Sequence, residues 1–140
     1  MDARRLDDTL STSPQIALED IPAIAAAGYR AVLSNRPDGE SPDQPDAAAV
    51  RRAAEAAGLA FAHIPVTAAG VSDEDVTTFR TALTDLPGPV YGFCRSGMRT
   101  AMMWALARAS DTPVDDVVRT AAAAGYDLAP LRSRLETQRR

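Results

Sequence analysis

Along the chain the apolar positions switch repeatedly between a period near two and a period near 3.6, so short strands are expected to alternate with amphipathic helices. The first strand is expected over "DTLSTS", residues 8 to 13. Helical spacing follows in "ALEDIPAIAAAG", residues 17 to 28, with Gly28 as a natural stop. "YRAVLSN", 29 to 35, reads as the second strand, and "RPDGESPDQP", 36 to 45, as a loop punctuated by three prolines and a glycine. A helix over "DAAAVRRAAEAAG", 46 to 58, again ends on glycine, and "LAFAHIPV", 59 to 66, forms the third strand. Ser72 can cap a helix over "SDEDVTTFRTALTDL", whose first turn is acidic. "PVYGF" is the fourth strand. The helix expected from Thr100 is apolar almost all round and should be buried, with two more helices near 113 to 124 and 128 to 138. Such alternation predicts an α/β fold, a mainly parallel four- to five-stranded sheet flanked by helices, in which ligands bind beyond the carboxyl ends of the strands.

Composition narrows the function more than the fold. The 140 residues are expected to form one domain, and 46% hydrophobic with 24% charged residues is ordinary for a globular chain. A net charge of −4 gives no overall pull toward nucleic acid or an anionic membrane, and the basic tail "LRSRLETQRR" reads as a solvated helix face. No run approaches the ~18 apolar residues of a spanning helix. The start, "MDARRLDDTLSTSPQ", lacks the apolar core of a signal peptide, so the expected location is cytoplasmic, where thiols stay reduced. One cysteine and one histidine make neither an internal disulfide nor a credible zinc site, and no motif implies a cofactor.

That lone cysteine, Cys94, stands at the carboxyl end of the fourth strand, in "YGFCRSGMRTAMMWALA". A helix N-terminus follows, whose unpaired N–H groups favour negative charge, and Arg99 lies five positions on. Both favour the thiolate, the reactive form of cysteine. Gly97 lets the backbone turn successive N–H groups inward as an anion nest. Ser96 and Thr100 can donate hydroxyl hydrogen bonds to the thiolate or to a bound oxyanion, and Thr100 can also cap the helix. A buried structural cysteine would not explain two arginines and a glycine crowded within five residues of it.

"CRSGMRT" resembles the active-site loop of rhodanese-like sulfurtransferases and, more loosely, the C-x5-R-[ST] loop of cysteine phosphatases. Together with "SPQIALEDIPAIAAAGYRAVLSNRPDGE" and "AAGLAFAHIPV", it is similar to the beta-lactamase-hydrolase-like, phosphatase-like domain family (DUF442), over residues 1 to about 110. The resemblance implies a cysteine-phosphatase fold of the dual-specificity type, with Cys94 as nucleophile, Arg95, Ser96, Gly97 and Met98 as the anion cradle and Arg99 as the anion-binding arginine. It also implies that "NRPDGE" borders the pocket and links such domains to a persulfide dioxygenase as a partner. Members commonly carry tyrosine before the cysteine and serine after the arginine; here Phe93 and Thr100 stand there, the latter keeping the hydroxyl.

Two reactions start from the same thiolate attack. Four residues separate Cys94 from Arg99, one fewer than in the phosphatases, and the narrower ring of N–H donors suits a terminal sulfur. The run "HIPVTAAGVS", where those phosphatases place a general acid, has no carboxylate before Asp73, and its loss costs about 10²–10⁴ in rate with a poor leaving group. Both features favour a sulfurtransferase working through a Cys94 persulfide on a small sulfur donor. The alternatives are a cysteine-dependent phosphatase acting on an oxyanion substrate and a non-enzymatic persulfide carrier. Arg36, Asp38 and Glu40 are placed to overhang the pocket, with Asp38 a substitute acid or simply part of a solvated turn. His63 is either a base facing the thiol or a hydrogen-bonded strand residue alternating with Phe61 and Pro65. Tyr91, Met98, Met102, Met103 and Trp104 read as core or pocket wall.

Overall fold

A single sheet organises the computed structural model, which describes residues 2–67 and 70–138. Its strands are β1 (Arg4–Arg5), β2 (Leu10–Ser13), β3 (Ala31–Ser34), β4 (Ala60–His63) and β5 (Val90–Phe93), in the spatial order β1-β2-β5-β3-β4. All neighbours run parallel except β1, which pairs antiparallel with β2. The helices are α1 (Ile21–Ala26), α2 (Ala47–Ala56), α3 (Asp73–Asp85), α4 (Met98–Arg108), α5 (Val114–Ala123) and α6 (Arg132–Gln138).

The period-two pattern of each strand divides the core. Val32, Phe61, Tyr91 and Phe93 bury one face under α1 and α2, against Ile21, Ile24, Val50 and Ala54. Leu10, Ala31, Leu33 and Val90 bury the other face with side chains of α3 to α6, among them Phe79, Met103, Leu106, Val117 and Leu135. On that second face α4 packs against α3, α5 and α6. It buries Ala101, Met103, Trp104, Ala105, Leu106 and Ala107, as its uniformly apolar sequence predicts.

Three local departures have physical reasons. β1 is two residues long, too short to show a period. The helix expected over 17–28 divides into a 3-10 turn at Leu18–Asp20 and α1, because Pro22 in the first turn of α1 cannot donate a hydrogen bond backwards. α4 starts at Met98 rather than Thr100: Gly97, at φ +93°, is its N-cap, and Thr100 lies inside the helix with its hydroxyl unpartnered. Ser72 caps α3 as expected, receiving the Asp75 amide at 3.0 Å while Asp75 receives the Ser72 amide at 3.0 Å.

The parallel register brings Ser13, Ser34, His63 and Phe93 level, so the four loops that follow leave the sheet at one edge. Two contacts fix α4 against the sheet, one at each end. Asp7 accepts Trp104 Nε1 at 2.8 Å and Arg108 Nε at 3.0 Å, while its other oxygen takes the Thr9 and Leu10 amides at 2.8 and 2.9 Å. These donors hold the Asp7 carboxyl below the usual carboxylate range against the opposing effect of burial, which is the largest single influence on it. At the other end Gly92 lets α4 approach the sheet closely, since a Cβ there would stand 2.8 Å from Thr100 Cγ2 and 3.2 Å from Leu10 Cδ1. Gly92→Ala should therefore cost about 1–3 kcal/mol through overpacking, and Gly92→Ala with Thr100→Ser should recover much of that loss. Urea denaturation of the two variants beside the parent checks this; an equal loss in both would show that the helix, not the Thr100 methyl, sets the spacing.

Candidate active site

Cys94 leaves β5 at the common edge and is fully buried. Its Sγ accepts the Gly97 amide at 3.0 Å, which curls the loop back on the sulfur. The loop is held from outside by its carbonyls. Gln15 donates its amide to the Arg95 oxygen at 3.1 Å, the Tyr126 hydroxyl to the Ser96 oxygen at 3.2 Å, and Thr12 Oγ1 to the Gly97 oxygen at 3.0 Å. With three successive carbonyls turned outward, the amides of Arg95 and Ser96 have no acceptor among the described residues. An anion cradle needs this arrangement, because unpaired N–H groups on one side supply partial positive charge without a mobile side chain. A Cβ at Gly97 would fall on the Tyr126 hydroxyl and lie 3.1 Å from the Ser13 oxygen, so only glycine closes the ring. Burial pushes the Tyr126 hydroxyl up from its ordinary value, keeping it a neutral donor to the loop.

Arg99 stands in the first turn of α4, and its side chain is mostly buried. Its Nη1 and Nη2 form an end-on fork with Glu40 at 2.7 and 2.8 Å, and Nη1 also donates to the Val66 carbonyl at 2.9 Å. Glu40 Oε1 is shared with Arg36 Nε at 2.9 Å, and Arg36, itself buried, reaches Gln15 Oε1 at 3.0 Å. His63 Nε2 donates to the Arg36 carbonyl at 2.8 Å. The result is a relay from β4 to the cysteine loop, carrying two guanidinium charges against one carboxylate. Hydrogen bonds from Arg99 first, then from Arg36, bring the Glu40 carboxyl down to about 2. The Glu40 hydrogen bonds, and further the charge of Cys94, raise Arg99 above its ordinary value.

The sequence-expected residues divide accordingly. Cys94, Ser96, Gly97 and Arg99 form the cradle, with Met98 on its flank and Arg95 exposed beside it. Arg36 and Glu40 border it, as expected of "NRPDGE". Asp38 does not: it accepts the Ala47 amide at 2.8 Å and anchors the start of α2. His63 is the hydrogen-bonded strand residue, not a base facing the thiol. Thr100 is fully buried, makes no hydrogen bond through its hydroxyl, and presses its methyl toward Gly92. Three residues that hold the cradle, Thr12, Gln15 and Tyr126, went unrecognised because they lie in separate loops and strands with no motif of their own. Among the described residues no group of three or more His, Cys, Asp or Glu stands close enough to hold a metal ion, and no helix is long and apolar enough to cross a membrane.

A parallel sheet carrying a cysteine loop at the carboxyl end of its central strand, with an arginine in the first turn of the next helix, defines the class of cysteine-based phosphatase folds. Comparison with known proteins is consistent with that class and narrower. Residues 2–111 match the family described as "Beta-lactamase hydrolase-like protein, phosphatase-like domain", and the chain belongs to that family. It is 31% identical over 99% of its length to a beta-lactamase hydrolase-like protein of Agrobacterium fabrum, and spans only 32% of that relative. The crystal structure of a candidate phosphatase from Neisseria meningitidis is similar throughout, with 40% identity, a TM-score of 0.89 and 99% of each chain covered. The core catalytic domain of a PP-IP phosphatase from S. cerevisiae shares the fold, with a TM-score of 0.72 at 11% identity, covering 97% of this chain and 84% of that one. These likenesses favour the phosphatase alternative and lend no support to the sulfurtransferase reading of the loop.

The Glu40 lock has a pH signature. Its carboxyl sits at about 2 in the folded protein against 4.5 for the free group, so the folded state holds fewer protons than the unfolded chain between those values. Its contribution to stability is complete above pH 4.5 and lost as pH falls toward about 2. Parent protein should therefore exceed Glu40→Gln in urea midpoint at neutral pH, with the gap closing across that window. A gap that persists unchanged below pH 2 would show that the carboxylate charge is not what holds the two arginines.

Proposed function

We propose that the protein is a cysteine-dependent hydrolase of the phosphatase type, with Cys94 as nucleophile and Arg99 as the oxyanion ligand. One observation carries this reading. Of the five N–H groups of a guanidinium, Arg99 uses three, for Glu40 twice and Val66 once. The Nε–H and the second Nη2–H donate to no oxygen among the described residues; they lie along one edge of the group as a side-on fork, within hydrogen-bonding reach of the Cys94 sulfur. Glu40 thus occupies the end of the guanidinium and leaves a bidentate oxyanion site facing the side, close enough to Cys94 for their charges to interact.

In the first step the Cys94 thiolate attacks phosphorus in line, the P–S bond forms and the ester P–O bond breaks. The equatorial oxygens are held by the Arg99 edge and the free Arg95 and Ser96 amides. Water then attacks the phosphocysteine, releasing inorganic phosphate and the thiolate. Neither carboxylate of the "NRPDGE" loop is suited to protonate the leaving oxygen: Glu40, at about 2, is ionised near neutral pH, and Asp38 is committed to α2. The leaving group must therefore be stable as an anion, which favours aryl over alkyl phosphates.

Sulfur transfer stands as a second reading on two observations, the four-residue spacing between Cys94 and Arg99 and the unsuitability of Glu40 and Asp38 as proton donors. The same chemistry at Cys94 would then carry a persulfide, and the linked partner would be a persulfide dioxygenase.

Hydrolysis of p-nitrophenyl phosphate is expected, exceeding that of an alkyl phosphate by about 10²-fold or more. Cys94→Ser should abolish it, and Arg99→Lys should lower kcat/KM by about 10²-fold, because a lysine cannot supply the planar fork. Intact mass after thiosulfate treatment separates the two readings. A stable gain of one sulfur at Cys94, with no ester hydrolysis, would replace the hydrolase with the sulfur carrier.

A further inference from the structure

One cavity is lined by the cysteine loop and another by Gln15, which bonds that loop from outside, and their linings differ in charge. The one toward β2 and β3, of about 410 Å³, carries Arg36 with two carboxylates, Glu19 and Asp43. The one toward α4 and α6, of about 330 Å³, includes Ser96 and Arg99 of the loop itself. Val71, Met98 and Met102 line it as well, together with Arg134 from α6. Among its described lining residues there are two arginines and no carboxylate.

From this juxtaposition we infer that Arg134 is a specificity-determining residue. The preferred ester carries a small apolar body, of about one ring, with a second anionic group beyond it. The inference rests on the oxyanion site assigned to Arg99. An ester held on the Arg99 edge borders the cavity that Arg99 itself lines, whereas the other cavity has no residue of the cysteine loop in its lining and carries the Glu19 and Asp43 carboxylates, which repel a dianion. A volume of 330 Å³ sits at the low end for ligand pockets, which fits a single ring rather than a peptide or a nucleotide. Met98 and Met102, one turn apart on α4, offer that ring a polarisable, adaptable wall.

Arg134 is available for the second anion. Its recorded ion pair is a 3.4 Å contact with Asp73, whose side chain is 88% exposed and is also approached by Gln138 at 3.1 Å. A long pair to so exposed a carboxylate holds the guanidinium weakly. The family match ends at residue 111, so α6, which supplies Arg134, lies outside the segment that the family model describes.

Binding separates this inference from the catalytic reading. Calorimetry with the full chain should show a 4-carboxymethyl or 4-carboxyethyl phenylphosphonate binding about fivefold or more tighter than phenylphosphonate, the preference shrinking as salt is raised. Arg134→Gln should bring that ratio to about one, Arg134→Lys should restore part of it, and Asp73→Asn, which releases the arginine, should raise it. Equal affinity for all probes in the parent, or a ratio untouched by Arg134→Gln, overturns the inference even where p-nitrophenyl phosphate is hydrolysed. Discrimination without hydrolysis upholds it and leaves the hydrolase reading as the one that failed. Binding of none of the phosphonates overturns both.

Discussion

Glu40 is the carboxylate on which the site depends. It lies between two guanidinium groups that would repel each other in a partly buried space, and it spends both oxygens on them. The consequence is directional. Because Glu40 holds the end of Arg99, the side of Arg99 is presented at a fixed angle, and an oxyanion meets a preformed fork rather than a flexible arm. Arg36, held in turn through Gln15 and His63, ties that angle to the edge of the sheet. Removing the carboxylate would leave two cations without a common partner, and the geometry of the cradle would relax with them.

The cradle itself is shaped by its outward side. Backbone amides point inward because the opposite carbonyls are fully engaged by a loop amide, a strand hydroxyl and a tyrosine from beyond α5. The positive lining of the site is thus a by-product of ordinary hydrogen-bond satisfaction elsewhere. It costs no reorganisation when a ligand arrives. Gly92 and Gly97 serve the same end from different directions, one by letting α4 settle onto the sheet and the other by closing the loop at its N-cap.

Much of this was legible in the sequence, for identifiable reasons. The alternation of strands and helices and the glycine stops at Gly28 and Gly58, at φ +101° and +82°, are local signals that the packed structure obeys. Cys94 was conspicuous because thiol, glycine and arginine crowd one turn. Roles within "NRPDGE" were not legible. Arg36, Asp38 and Glu40 look alike as loop charges, and only packing sends Asp38 to the α2 amide and Glu40 to Arg99. Thr100 misled for a related reason: a hydroxyl before an apolar run reads as a cap, but Gly97 with its positive φ had already begun the helix. Tyr126 and Arg134 lie 27 and 35 residues past Arg99, and no local pattern connects them to the loop.

Tyr126 also changes where the working unit ends. The shared family segment stops at residue 111, and the strand, cysteine loop and α4 all fall inside it. Yet the donor that fixes the Ser96 carbonyl comes from the turn after α5, and Arg4, 5.3 Å from the centre of the same ring, clasps that turn from the opposite end of the chain. A fragment trimmed to residues 2–111 would keep Cys94, Arg99 and Glu40 and lose the brace that keeps the loop in shape. The brace lies outside the 2–111 segment but inside the 99% of the chain that aligns with the Neisseria meningitidis structure, so the longer alignment marks the unit that holds the loop in shape.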